Sequence, residues 1–117
     1  MASQWQVRIK VWLADAEGAV VIGPGRTRLL EGIERTGSIL KAAQSLKMSY
    51  RRAWGRLKVM EERLGEPLLE RQPGAGRRGG TRLTPKGKAL LALYQKLTRE
   101  MQKTSQTALS RLAKRGD

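Results

Sequence analysis

The chain has 117 residues, a formal net charge of +14, 39% hydrophobic residues, and neither Cys nor His. That length holds one domain, or one domain with an appended element, and the composition excludes disulfides and thiolate metal sites. No run approaches the roughly 20 apolar residues of a membrane helix, and with no His, no Cys and no clustered carboxylates the chain is not expected to be an enzyme or to hold a metal.

The distribution of the charge says more than its size. Arg35 to Met60 carries seven Lys or Arg and no acid, and Arg71 to Arg99 carries eight more and no acid. So segregated a surplus is the electrostatic footprint of nucleic-acid binding. The basic segments are broken by Gly and Pro, so they do not form one amphipathic membrane-surface helix. The first residues, MASQWQVRIK, lack the apolar core of a signal peptide, and a cytoplasmic protein is the expectation.

Taken in order, Trp5, Val7, Ile9, Val11 and Leu13 alternate with Gln6, Arg8 and Lys10, which predicts a half-buried strand. Trp12 breaks the alternation as a contact on the outer face. Asp15 to Gly18 reads as a turn and Ala19 to Ile22 as the return strand, closed by Gly23-Pro24-Gly25. A helix from about Arg26 to Thr36 would bury Leu29, Leu30 and Ile33 and end at Gly37. Phe is absent, so the aromatic part of the core is expected at Trp5, Trp12 and Trp54.

The stretch from Gly37 to Gly65 reads as a helix-turn-helix. Ser38 caps a short helix, Ile39 to Leu46, and Lys47-Met48 makes a tight connection. Ser49 then caps a longer helix that stops at Gly65. Ala42 and Ala43 are small enough for two helices to cross closely. On the second helix Ala53, Leu57, Met60 and Leu64 share one face, directed to the core. Arg51, Arg52, Gly55, Lys58 and Val59 share the other. Cations in a first helical turn oppose the helix dipole, and Gly inside a helix costs about 1 kcal/mol relative to Ala. Both violations mark the same surface, as expected where a polyanion lies against it.

Pro67 suits the entry to an edge strand. Leu68 to Gln72 and Thr81 to Leu83 are the two strands of a hairpin, joined by the loop PGAGRRGG. A hairpin after a helix-turn-helix is a wing, and Arg77 and Arg78 at its tip are placed to reach phosphates or a minor groove. The loop lacks the GxxxxGK[ST] pattern of a nucleotide-cradling loop. Thr84 as cap and Pro85 in the first position start a final helix of about 30 residues, running nearly to Lys114. Leu90, Tyr94, Leu97, Met101, Thr104 and Ala108 recur at spacings of four and three along it, a heptad-like seam for a second copy of the chain. The alternative is a helix that packs on its own core and frays beyond Met101.

These residues carry a family resemblance. Arg26, Leu29-Leu30, Ile33, Gly37-Ser38-Ile39, Ala42-Ala43, Met48-Ser49-Tyr50 and Ala53-Trp54 resemble the N-terminal DNA-binding domain of the ModE family of molybdate-responsive bacterial regulators. The likeness continues through Pro67 to Arg71 and Leu83 to Gly87. More distantly the chain is similar to the LysR-type winged helix-turn-helix. The resemblance implies an α+β, mainly α fold: an N-terminal β-hairpin plus winged helix-turn-helix over residues 1–83, and a long dimerisation helix over 84–117, in one structural unit. It implies a homodimer on double-stranded operator DNA, with Ser49, Tyr50, Arg51, Arg52 and Gly55 at the DNA-facing end of the recognition helix. Trp54 borders the apolar face, and a core role is favoured over a contact. Family members also carry a molybdate-binding module, for which these residues have no counterpart. No cofactor is therefore expected: the chain is a standalone DNA-binding protein, responds to a different signal, or has a separate sensing partner.

The residues expected on DNA are then Ser38, Lys41, Ser49, Tyr50, Arg51, Arg52, Gly55, Arg56, Lys58, Arg77, Arg78 and Thr81. Arg51 and Arg52 suit guanine edges or phosphates. Lys41, Arg56, Lys58, Arg77 and Arg78 suit phosphates, and Tyr50 suits a phosphate or a thymine methyl. A sequence-specific transcriptional regulator follows, with a non-specific architectural binder as the alternative. Repression and activation are both compatible with the sequence.

Overall fold

The computed structural model describes residues 5–72 and 80–115. In chain order the elements are β1 (Leu13–Ala14), β2 (Val20–Ile22), α1 (Pro24–Thr36), α2 (Ile39–Ser45), α3 (Tyr50–Leu64), β3 (Leu69–Arg71), β4 (Thr81–Leu83) and α4 (Pro85–Arg115). This is a winged helix-turn-helix with a leading hairpin and a long last helix. α1, α2 and α3 enclose a core of Ile22, Leu29, Leu30, Ile33, Ala42, Ala43, Ala53, Leu57 and Met60, which Leu68, Leu83, Leu90, Leu91 and Tyr94 close from the wing and α4.

Each boundary has a local cause. Ser38 and Ser49 cap α2 and α3 by accepting from the amides of Lys41 and Arg52, both at 3.1 Å. Gly37 and Gly65 end α1 and α3 in the left-handed region, φ 71° and 70°. α1 starts two residues before the expected Arg26, because Pro24 is tolerated in a first helical turn. The α2–α3 turn holds Lys47 at φ 57°, where its N–H reaches Gln44 O at 3.1 Å and that of Met48 reaches Ala43 O at 3.0 Å. The expected close crossing falls between α1 and α2: a Cβ on Gly32 would stand 2.9 Å from the Ala42 Cβ.

The N-terminal segment departs from the expected strand. Residues 5–12 are extended without belonging to a sheet, and β1 is only two residues long, with a register shift between Leu13 and Ala14. The partner is too short: Gly23-Pro24 turns the chain into α1 directly after Ile22, so no strand faces residues 5–12. The segment runs antiparallel along α4 instead. Gln106 of α4 accepts from the Val7 N–H through Oε1 at 2.9 Å and donates to Trp5 O at 3.3 Å. Gln102 donates to Val7 O, and the Tyr94 hydroxyl donates to Val11 O at 2.7 Å. Helix side chains thus satisfy backbone groups that a sheet neighbour would otherwise satisfy. The alternation itself is present: Val7, Ile9, Val11 and Leu13 are half-buried while Gln6, Arg8, Lys10 and Trp12 are exposed.

Two further expectations are corrected. The tryptophans are not core: Trp5, Trp12 and Trp54 are 63%, 56% and 48% exposed, and Tyr94 is the buried aromatic. Leu90 and Tyr94, expected on a dimer seam, are buried in the chain's own core, because the first turns of α4 pack on the domain. Past that point α4 leaves the core and forms the long axis of a molecule measuring 64 × 30 × 23 Å.

Candidate nucleic-acid interface

α3 is the centre of the basic face. Ala53, Leu57 and Met60 anchor it in the core, which fixes what the rest of its circumference presents. Tyr50, Arg51, Arg52, Trp54 and Lys58 are exposed, and Arg56 is half-buried on the flank nearest α1. Gly55 lies on the outward side, and a Cβ there would meet nothing within 4 Å. No acid stands in the first turn of α2 or of α3. Ser38 and Ser49 spend their acceptor capacity on the caps, and a hydroxyl used this way keeps its O–H to donate to a phosphate. Lys41 is exposed on α2, one turn above the Ser38 cap.

The wing is docked, not appended. β3 and β4 pair antiparallel, Leu69 with Leu83, Glu70 with Arg82 and Arg71 with Thr81. The Thr81 N–H, pointing away from β3, donates to Gly37 O at 2.9 Å and so ties the wing to the start of α2. Glu61 of α3 makes a second tie. Its Oε2 accepts from the Leu68 and Leu69 amides at 2.8 and 3.3 Å, and its Oε1 lies 3.5 Å from Lys58 Nζ. A third tie is Thr84, which accepts from the Gly87 amide at 3.1 Å and donates to Pro67 O at 2.8 Å. The expected contacts at Arg77 and Arg78 lie outside the described residues.

Sequence reasoning missed three features here. Trp54 stands in the groove between α3 and the wing, with Lys58 Nζ 5.2 Å from its ring centroid. Its place on the helix, between the apolar and the basic arcs, was the only signal. Glu61 looked like one of several acids away from the basic runs, and nothing in the sequence marks it as the acceptor for two strand amides. On the opposite flank, Arg26 and Arg63 both donate to the carbonyl of Val20 in β2, Arg26 at 2.9 Å. Their convergence needs the hairpin's position, which the sequence does not supply.

Chemically the face offers guanidinium and ammonium groups, hydroxyls and one indole, at helix ends whose dipole favours anions. Among the described residues no group of three or more His, Cys, Asp or Glu is arranged to hold a metal ion, and no helix is long and apolar enough to cross a membrane.

Comparison with known proteins agrees with this face. Residues 25–88 match the bacterial regulatory helix-turn-helix proteins of the lysR family. The molybdenum transport protein ModE of Azotobacter vinelandii is 40% identical over 101 residues, 86% of this chain and 36% of that protein. The transcriptional regulator ModE of Haemophilus influenzae is 46% identical over 81 residues, 69% of this chain and 32% of that protein. The chain thus spans about a third of the length of these relatives. A crystal structure of the CbnR DBD in complex with DNA superposes with a TM-score of 0.56 at 24% identity, covering 76% of this chain and 94% of that one, and shares the fold. The chain belongs to the LysR-type bacterial regulatory helix-turn-helix family, and its helix-turn-helix is ModE-like.

Proposed function

We propose that this chain is a sequence-specific DNA-binding transcriptional regulator that acts in the bacterial cytoplasm as a homodimer and is not an enzyme. The observation that carries the reading is α3: capped by Ser49, anchored by Ala53, Leu57 and Met60, and presenting Tyr50, Arg51, Arg52 and Lys58 around a side-chain-free position at Gly55. A helix of this kind enters a major groove, where Arg reads guanine O6 and N7. Lys41 and the Ser38 and Ser49 hydroxyls hold phosphates, which sets register. The similarity to a regulator named ModE and to a fold crystallised on DNA supports the same reading.

The dimer is supported by the second half of α4. Leu93, Leu97, Met101, Thr104, Ala108 and Leu112 fall on one side of the helix, and Leu93, Met101 and Leu112 are 57%, 38% and 58% exposed. This stripe replaces the expected seam, which included Leu90 and Tyr94. Pairing it with a second copy buries it and sets two recognition helices on one duplex. The DNA-binding unit needs no cofactor in this reading, and any signal reaches it through a separate sensing partner or segment.

The test is selection of bound DNA from a random pool, with the winner re-tested against scrambled DNA at physiological salt. A two-fold symmetric winner preferred by about a thousandfold or more is the expected result. Equal affinity for winner and scramble overturns the reading in favour of an architectural binder.

A further inference from the structure

On the flank of α3 away from the wing, the start of β2 and the start of α1 border a recess of ≈ 320 Å³ walled by Trp12, Val20, Gly23, Gly25, Arg26 and Arg56. Two guanidiniums, those of Arg26 and Arg56, line it, and that of Arg63 reaches the Val20 carbonyl behind it. Arg26 donates to Val20 O at 2.9 Å and to Val21 O at 3.2 Å, and Arg63 donates to the same Val20 oxygen. Two cations therefore share one carbonyl. Arg56 Nη1 lies 3.8 Å from where a Cβ on Gly25 would stand. Among the described residues the ion pairs are Lys58–Glu61, Arg82–Glu70 and Lys86–Glu66, so none of the three arginines has a carboxylate partner.

A structural role accounts for Arg26 and Arg63, which satisfy the β2 carbonyls. It does not account for Arg56, which is half-buried among like charges and, among the described residues, makes no side-chain hydrogen bond or ion pair. Burial, then Arg63, then Arg56, hold the Arg26 guanidinium below its ordinary pKa, the response of a cation lacking its counter-ion. The recess is also shaped for an anion. Gly25, in the first turn of α1, carries no side chain, so Arg56 stands beside the positive end of the α1 dipole, where an anion is favoured. Trp12 lies against Gly23 so closely that a Cβ there would overlap its indole. Trp12, exposed and outside the core, thereby gains a reason to be where it is.

We infer that this recess, with Arg56 as its principal ligand, binds a tetrahedral phosphate-class oxyanion. The anion is either a free ion or a phosphodiester of DNA lying along this flank of α3. The inference stands without the DNA-binding reading, because inorganic phosphate is the first probe.

The experiment follows thermal stability and the Trp12 indole N–H resonance while inorganic phosphate replaces chloride at constant ionic strength. Four proteins are compared: the unaltered chain, Arg56→Gln, Arg56→Lys, and Arg111→Gln, which removes one charge from the far end of α4. The expected result is saturable, with a rise in Tm of about 6 °C once phosphate reaches roughly ten times its dissociation constant. The rise is kept in Arg111→Gln, and in Arg56→Gln the dissociation constant increases at least about tenfold, the usual cost of a charge-assisted hydrogen bond. Arg56→Lys, which keeps the charge but not the fork, falls between. Equal response in all four proteins, with the Trp12 resonance unmoved, overturns the site. A methylphosphonate scan of bound DNA then separates the sources. Sensitivity at one backbone position that Arg56→Gln abolishes assigns the anion to DNA, and sensitivity unaltered by Arg56→Gln assigns the site to a free ion.

Discussion

Gly55→Ala separates the stability of α3 from its use. Gly55 lies six residues inside a 15-residue helix, and a Cβ at this position meets nothing within 4 Å. The substitution therefore introduces no clash in the free protein. It removes the entropic penalty of an interior glycine, about 0.8–1 kcal/mol, which for a domain of this size raises Tm by roughly 4–8 °C. If the bare position exists so that DNA can approach the helix axis, the added methyl stands where a base or sugar must come. DNA affinity should then fall by about tenfold or more, in line with 1–3 kcal/mol for an overpacked contact. Thermal denaturation and a gel-shift titration on the same preparation read both quantities. A variant that is more stable and binds DNA as tightly as the parent would refute the argument, because Gly55 would then be an ordinary weak spot in a solvated helix. Lower stability would refute the packing on which it rests.

Gly87→Ala should do the opposite in the free protein: its Cβ would run into Leu68 O and stand 3.2 Å from the Leu83 Cβ, so thermal denaturation should show a loss of about 1–3 kcal/mol. Glu61→Gln should cost about 1.5–3 kcal/mol by weakening the charged acceptor of two strand amides, and amide exchange at Leu68 and Leu69 should speed up. Trp54→Ala should cost under about 1 kcal/mol, far below the 3–5 of a buried Trp, while reducing DNA affinity; a large drop in Tm would return Trp54 to the core. Met101→Glu should convert a dimer to a monomer in sedimentation velocity with Tm nearly unchanged, and an unaltered sedimentation coefficient would remove α4 from the interface. Arg51→Ala should relax base preference, whereas Lys41→Ala should weaken all sequences alike and reduce the salt slope by about 1; identical behaviour would end that division of roles.

What could be read from the sequence was whatever the chain decides locally. Ser38, Ser49, Gly37 and Gly65 fixed the helix-turn-helix to within a residue, since each satisfies backbone groups within a few positions of itself. Thr84-Pro85 did the same for α4. The period of residues 5–13 also marks which side chains turn inward from Val7 to Leu13, though not Trp5. It was silent about the neighbour, because alternation reports burial on one face and not what supplies the hydrogen bonds. Gln102 and Gln106, about a hundred residues away, supply them.

Aromatics misled for a related reason. A tryptophan counts as apolar in any pattern, which assigns Trp54 at the border of the α3 face to the core, and the heptad spacing assigns Leu90 and Tyr94 to a seam that the domain itself covers. The exposed surfaces divide along the structure. The core of the domain covers α4 as far as Tyr94, and past it Met101 and Leu112 stay exposed, the stripe on which the proposed pairing with a second copy rests. The two flanks of α3 are likewise unlike. On the wing side Lys58 stacks over Trp54 and pairs with Glu61, so its charge is partly answered within the chain. On the α1 side Arg56 has no such answer among the described residues. An anion beside Arg56 should therefore gain more than one beside Lys58, whose charge Trp54 and Glu61 partly answer.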